Sequence, residues 1–258
     1  MTPLLQARGL TLRFGGLIAL DHLNLTVAPN EILGLIGPNG SGKTTFFNIV
    51  TGIYRAQDGT LAFQGADITR GSPGAIYRAG ISRTFQRSRL ALPLSVFDNI
   101  MIGAHKRLNQ GLWFNLLNRS GLKREIEASY STARALVELF EPSLAERMFE
   151  PVARMTMIDR RRIEICRALI SEPKLMLLDE PSAGMTHEET ATLMDDVMQV
   201  RTRNQNLTII IVEHEMGVIE RITDRCVVLN FGVKIAEGPY RQVAADQQVQ
   251  EAYLGIAG

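Results

Sequence analysis

The sequence predicts an α/β chain with a mostly parallel sheet core and a helical lobe inserted into it. Three observations point there. The short runs Glu31–Ile36, Leu175–Leu178 and Leu207–Val212 are largely apolar, as strands covered on both faces must be. The first thirty residues instead alternate, with apolar positions at Leu10, Leu12 and Phe14 and again at Leu23, Leu25 and Val27, the period of half-buried strands. From about Ala104 to Met148 strand signals are few, and charges recur with helical spacing around Lys123–Leu139. Buried strands alternating with helices give a parallel sheet.

Taken in order, the two alternating segments lead to the buried run ending at Ile36, a Gly-rich loop, and a helix over Thr44–Val50. Gly59–Phe63 reads as a strand entering a turn. The stretch 104–130, with Trp113-Phe-Asn-Leu-Leu117, has the period of a packed helix face. At 258 residues, 45 % apolar and 21 % charged, the chain suits one α/β domain with a satellite lobe. Lys and Arg number 28 against 27 Asp and Glu, a net charge of +1, which argues against a general nucleic-acid binder. Cys166 and Cys226 lie far apart and form no metal-ligand spacing, the pattern of a reduced cytosolic chain. The N-terminus shows no basic leader, and no window approaches the roughly 18 uninterrupted apolar residues of a membrane span. Work at a membrane would go through a partner.

Gly37-Pro38-Asn39-Gly40-Ser41-Gly42-Lys43-Thr44-Thr45 fits G-x-x-x-x-G-K-[ST] between a buried strand and a helix. Gly40 and Gly42 let backbone N–H groups converge on phosphate oxygens, and the helix that follows points its positive end at them. Lys43 has the reach for β/γ-phosphates and the Thr44 hydroxyl suits Mg²⁺. The flanking strand and helix count against a Gly-rich turn that merely precedes Lys-Thr. This is a nucleotide phosphate site.

Leu175-Met-Leu-Leu-Asp179-Glu180 ends a buried strand in two carboxylates that face opposite ways. At the C-terminal edge of such a sheet, Asp179 would hold Mg²⁺ and Glu180 would act as general base toward the attacking water. His214 follows Thr208–Val212 at the parallel position of another strand, which favours a functional role over a purely structural one.

Together these residues resemble the ATP-binding subunit of an ABC transporter, over almost the whole chain. The resemblance implies the P-loop NTPase ABC-ATPase fold, with an antiparallel β subdomain and an inserted α-helical subdomain. It implies one domain over 1–258, with 1–86 and 170–258 as core and β subdomain and 87–169 as helical subdomain. ATP and Mg²⁺ are the implied ligands. Phe14 matches the aromatic that stacks on adenine, Gln86 in Arg-Thr-Phe-Gln the loop that senses Mg²⁺ and meets the membrane subunits, and His214 the switch histidine. The implied catalytic set is Lys43, Gln86, Glu180 and His214, and the implied metal set Thr44, Gln86 and Asp179. Phe14-Gly-Gly-Leu-Ile-Ala-Leu20, Gly80-Ile-Ser-Arg-Thr-Phe-Gln86, Ala183-Gly-Met185 and Glu251-Ala-Tyr-Leu-Gly255 resemble the branched-chain amino-acid importer group, and the stretch 105–130 its longer ATPase subunit. Relatives serve urea, amides or other small solutes. The resemblance implies two membrane permease subunits, a second ATPase subunit (a heterodimer over a homodimer), a periplasmic binding protein and the cytoplasmic face of a bacterial inner membrane. The apolar segment Leu90–Phe97 fits a groove for a permease helix as well as ordinary core. The competing classes are a soluble ABC protein of DNA repair or translation and a regulatory module. The first lacks here its usual second cassette, coiled coil or basic surface, and Glu180 and His214 count against the second.

One element departs from the family. Met155-Thr-Met-Ile-Asp159 stands where Leu-Ser-Gly-Gly-Gln is expected. Ile158 puts a β-branched side chain where glycine allows close approach, and Asp159 puts a carboxylate where a neutral amide would meet phosphate. Thr156 keeps a hydroxyl, and Thr156-x-x-Asp159 approximates a capping box, so the helix is expected to start normally. Arg160, Arg161 and Arg162 read as an exposed helix face, with an offset of the Asp159 charge as the alternative. The loop at Ser182–Met185 lacks the family's usual Asp, a habit of the branched-chain group. These departures predict an asymmetric pair of ATP sites, one that hydrolyses and one that mainly binds.

Overall fold

The computed structural model describes residues 2–104 and 119–254, so 105–118, with Trp113–Leu117, and Gly255 lie outside the described residues. Along the chain run β1 (Leu5–Phe14), β2 (Leu17–Val27), β3 (Ile32–Ile36), α1 (Lys43–Val50), β4 (Asp58–Phe63), β5 (Ala66–Asp67), α2 (Pro73–Ala79) and β6 (Ile81–Arg83). Next come α3 (Val96–Met101), α4 (Arg119–Phe140), α5 (Pro142–Ala145) and α6 (Met157–Leu169). Then follow β7 (Leu175–Asp179), α7 (His187–Arg203), β8 (Thr208–Val212), α8 (Met216–Ile222), β9 (Arg225–Asn230), β10 (Val233–Gly238), α9 (Tyr240–Ala244) and α10 (Gln247–Leu254).

The chain divides into two compact units. The first comprises Met1–Arg83, Lys174–Pro181 and Asn204–Gly258. It holds a four-stranded antiparallel sheet in the order β2-β1-β4-β5 and a six-stranded sheet in the order β10-β9-β3-β8-β7-β6. In the larger sheet β6, β7, β8, β3 and β9 are mutually parallel and β10 is antiparallel. Every residue of β3, β7 and β8 is buried, which is why their sequences are continuous apolar runs instead of alternating ones. β1 does alternate, but its pairing slips between Ala7 and Leu12, so Leu10, Thr11 and Leu12 are all buried. Phe46 and Phe47 of α1 complete the core between residues of both sheets. β9 and β10 were not singled out from the sequence, although Cys226–Leu229 is an apolar, β-branched run followed by a glycine turn.

The second unit comprises Thr84–Pro173 and Ser182–Arg203 and is helical. Ser95 caps α3 by accepting from the Asp98 N–H at 3.1 Å. The segment before α3 is laced to the one before α6, with Val152 N donating to Leu94 O at 3.0 Å and Ala153 N to Leu92 O at 2.9 Å. In Leu90–Phe97, Leu90 and Val96 enter the core while Leu92 and Leu94 stay exposed. The expected core segment 170–258 is interrupted, since α7 joins the helices. Arg162 of α6 donates to Asp196 of α7 at 2.9 Å, and both are buried. A contact between residues 34 positions apart leaves no local sequence signal.

α6 starts on a Thr156 cap, the approximate form of the box: the Thr156 hydroxyl accepts from the Asp159 N–H at 3.3 Å and donates to the Asp159 carboxylate at 2.7 Å. The helix begins at Met157, so three residues of the aberrant loop already form its first turn. The exposed face expected for the three arginines is corrected here. Arg161 and Arg162 are each only 6 % exposed, because backbone carbonyls from other segments meet Arg161 and carboxylates from other segments meet Arg162. Arg162 lies 3.4 Å from Asp159, the charge offset read as the alternative. Arg161 donates to Glu164 at 2.8 Å, to Gln86 O at 3.1 Å and to Ala183 O at 3.3 Å.

Gly103 approaches α6 so closely that a Cβ there would fall 1.9 Å from Arg167 O. Gly103→Ala is therefore expected to destabilise the helical unit by about 1–3 kcal/mol, the usual cost of overpacking. Thermal denaturation followed by circular dichroism measures it, and an unchanged melting temperature contradicts the packing described.

Candidate functional site

β3 ends at Ile36 and the chain turns at once into the loop Gly37–Gly42. Gly42 has φ +108°, and a Cβ on it would stand 2.8 Å from both Ala19 O and Leu20 Cδ2, so β2 requires a glycine there. The loop is held by Ser41 N donating to Pro38 O at 3.2 Å and by Gly232 N donating to Ser41 O at 3.0 Å. That second bond joins it to the β9–β10 turn. From Lys43 onward the chain is helical, with Phe46 N donating to Gly42 O at 2.8 Å.

Lys43 is buried and folded back onto its own loop, donating to Gly37 O at 2.6 Å and Pro38 O at 2.9 Å. Its pKa is lowered, chiefly by burial, while Glu180 and then Asp179 act in the opposite direction. The ammonium therefore stands within electrostatic reach of both carboxylates. Asp179 ends β7, paired with Val212 of β8, and its side chain is 3 % exposed. Glu180 follows with φ +48°, a conformation a non-glycine residue adopts at a cost and a feature that clusters at functional sites. Its N–H donates to Val212 O at 2.9 Å, and Nε2 of His214 lies 2.8 Å from Glu180 Oε1.

A cleft of about 310 Å³ collects the loop residues Asn39–Thr45, Glu180 and Phe14. Phe14 is exposed at its mouth and braced edge-on by Tyr54, ring centroids 5.3 Å apart. Of the residues singled out from the sequence, the first unit thus brings together Phe14, the loop, Lys43, Thr44, Thr45, Glu180 and His214, with Asp179 beside them. Gln86 belongs to the second unit, where its backbone carbonyl accepts from Arg161.

Several participants were not picked out from the sequence. Tyr54 has no motif around it. Phe231 lines the cleft with φ +45° and 75 % exposure, where a turn before Gly232 was the only signal. Arg83 was legible only as part of Arg-Thr-Phe-Gln, yet it donates to Asp179 Oδ2 at 2.6 Å.

A buried strand, a glycine loop gripping a lysine, and a carboxylate hydrogen-bonded to a histidine at the edge of a parallel sheet form a site suited to phosphate transfer. A family model described as ABC transporter matches residues 20–183. One described as branched-chain amino acid ATP-binding cassette transporter matches residues 233–257. The chain is 38 % identical over 256 residues to the high-affinity branched-chain amino acid transport ATP-binding protein LivG of Escherichia coli (strain K12), covering 99 % of each. It is 36 % identical over 257 residues to the corresponding protein BraF of Pseudomonas aeruginosa, again covering 99 % of each. Among solved structures it superposes on an ATP-binding cassette of an ABC transporter in its ADP conformation. The TM-score is 0.85 at 28 % identity, over 99 % of this chain and 100 % of the other. A nucleotide-free cassette gives a TM-score of 0.83 at 28 % identity, over 98 % and 99 %. The family match spans more than half of the sequence and the relatives align end to end: the chain belongs to the ABC transporter family, as an ATP-binding cassette.

Proposed function

We propose that this chain is the ATPase subunit of an importer for branched-chain or related amino acids, working with two membrane permeases, a second ATPase subunit and a periplasmic binding protein. The observation that carries the chemical part is the 2.8 Å hydrogen bond between His214 and Glu180 beside the phosphate-loop cleft. The names of the full-length relatives and the C-terminal match at residues 233–257 support the class of solute. No described helix is long and apolar enough to cross a membrane, so attachment to the cytoplasmic face of an inner membrane would run through the permeases. Exposed Leu92 and Leu94, after Gln86, suit that contact.

In this reading the adenine stacks on Phe14, which Tyr54 holds in place. The loop N–H groups and the start of α1 receive the phosphates, and Lys43 exchanges the carbonyls of Gly37 and Pro38 for β/γ-oxygens. Glu180 takes a proton from the attacking water as the water oxygen bonds to the γ-phosphorus. The bond from that phosphorus to the β-phosphate oxygen breaks and ADP leaves. His214 orients the Glu180 carboxylate through Oε1.

Asp179 and Thr44 of the first unit offer hard oxygen donors that suit magnesium, a role the resemblance also gives to Gln86. Among the described residues no three His, Cys, Asp or Glu are grouped to hold an ion. The Asp179 carboxylate and the Thr44 hydroxyl suit a cation that takes the rest of its shell from phosphate oxygens and water. When bound, it would offset the charge of the β- and γ-phosphates.

The loop Met155–Asp159 would serve the second subunit's nucleotide. With the Thr156 hydroxyl engaged by Asp159 and Asp159 facing Arg162, it offers little to a γ-phosphate. One competent and one weak site would follow in a heterodimer.

Three outcomes are expected. Glu180→Gln should lower steady-state ATP hydrolysis by the assembled transporter about 10²–10⁴-fold with ATP still bound, the usual range for losing a general base. A variant with full turnover would remove Glu180 from the chemistry. Thr156→Ser, Ile158→Gly and Asp159→Gln combined should raise turnover in the assembled transporter, and no rise would sink the asymmetry. Uptake of labelled leucine, isoleucine or valine into vesicles carrying the complex should require ATP. Uptake of urea or an amide instead would reassign the solute.

A further inference from the structure

Arg83 ends β6, the last residue before the chain passes into the helical unit. Its guanidinium is 4 % exposed and bonded on several sides. Nη2 donates to Asp179 Oδ2 at 2.6 Å, while Nη1 donates to Asn48 Oδ1 at 2.7 Å and to Thr51 Oγ1 at 3.4 Å. Its Cζ stands 5.3 Å from the centre of the Phe47 ring. Phe47 and Asn48 belong to α1, the helix that starts with Lys43, and Thr51 is its C-cap. Arg83 therefore braces the phosphate-loop helix against the carboxylate that the reading above gives to magnesium.

The local charge explains what that bond does. Arg83 bonds Asp179 directly and Lys43 lies within electrostatic reach of Asp179 and Glu180, two carboxylates and two cations all in the first unit. A divalent ion arriving alone meets a cluster already balanced and has to compete with a buried, charge-assisted bond. An ion arriving with a nucleotide brings its own negative charge and most of its oxygen ligands. We propose that Arg83 is the resident counter-charge of Asp179, which bars a free divalent cation and makes magnesium entry depend on the nucleotide's phosphates. Arg83 is thus a positioning residue, acting through Asp179. This rests on the nucleotide-site reading above and adds an order of assembly to it.

The test uses the purified chain and Mn²⁺, followed by electron paramagnetic resonance, without nucleotide. The Arg83 guanidinium lies 2.6 Å from Asp179 Oδ2 and repels a second cation there, so removing it should tighten free Mn²⁺ by about ten-fold or more. Arg83→Gln is expected to show that gain, and Arg83→Lys, which keeps the charge, to stay close to wild type. Should Arg83→Gln fail to fold, Asn48→Asp supplies the readout with Arg83 kept, since a carboxylate on Nη1 draws the guanidinium's charge away from Asp179. It too should gain about ten-fold or more. The wild-type melting temperature should be indifferent to Mg²⁺ alone, rise with ATP in EDTA and rise further with both. Wild type binding free Mn²⁺ as tightly as the variants, or gaining stability from Mg²⁺ alone, overturns the proposal. Failure of ATP to bind wild type in EDTA would instead overturn the nucleotide-site reading.

Discussion

Parallel pairing of three fully buried strands is the constraint from which the site follows. β3, β7 and β8 run the same way and in register, Gly34 opposite Ile211 and Asp179 opposite Val212, so their C-terminal ends reach one edge of the sheet together. The phosphate loop leaves from the first strand, the acidic pair ends the second, and His214 follows the third. A carboxylate and a histidine 34 residues apart meet at 2.8 Å because that register leaves them side by side. Burial on both faces makes the register costly to shift, since a one-residue slip would turn every side chain to the other face.

Against that frame, the loop is shaped by close approach. β2 presses on Gly42, the β9–β10 turn hydrogen-bonds Ser41, and Lys43 satisfies its ammonium on the loop's own carbonyls. Such a loop is preorganised, with Lys43 held on carbonyls that phosphates would replace in the proposed reading. The strained backbone at Glu180 belongs to the same preorganisation, for its N–H bond to Val212 holds the residue where the histidine can reach it.

The helical unit follows a different logic, in which buried charges do the positioning. Arg161 joins Glu164 with the backbone of Gln86 and Ala183, so one guanidinium ties the segment after β6 to the loop before α7. Arg162 joins α6 to Asp196 of α7 and stands beside Asp159. An unpaired charge at such depth is strongly destabilising. Both arginines are therefore committed to partners, and the residues that look aberrant beside the family's usual loop are structurally employed. Asp159 accepts from the capping Thr156 hydroxyl and faces a guanidinium, which accounts for how a carboxylate is accommodated there.

The amino-acid sequence by itself determined the parallel core, the phosphate loop, the acidic pair and His214. Each rests on short-range chemistry: an unbroken apolar run, a glycine pattern between strand and helix, a charge at a strand end. The start of α6 was legible for the same reason, since Thr156 and Asp159 lie within one helical turn. What only the tertiary structure decided depends on partners far apart in the chain. Arg83 meets a carboxylate 96 residues away, Arg162 one 34 residues away, and α7 joins the helices through that second bond. A run of three arginines reads as a solvated face until the partners that bury two of them are seen. Tyr54 and Phe231 acquire meaning only beside Phe14 and the loop. Periodicity reports how a residue relates to its own element, whereas charge pairing and cleft lining are set by the packing of elements on one another.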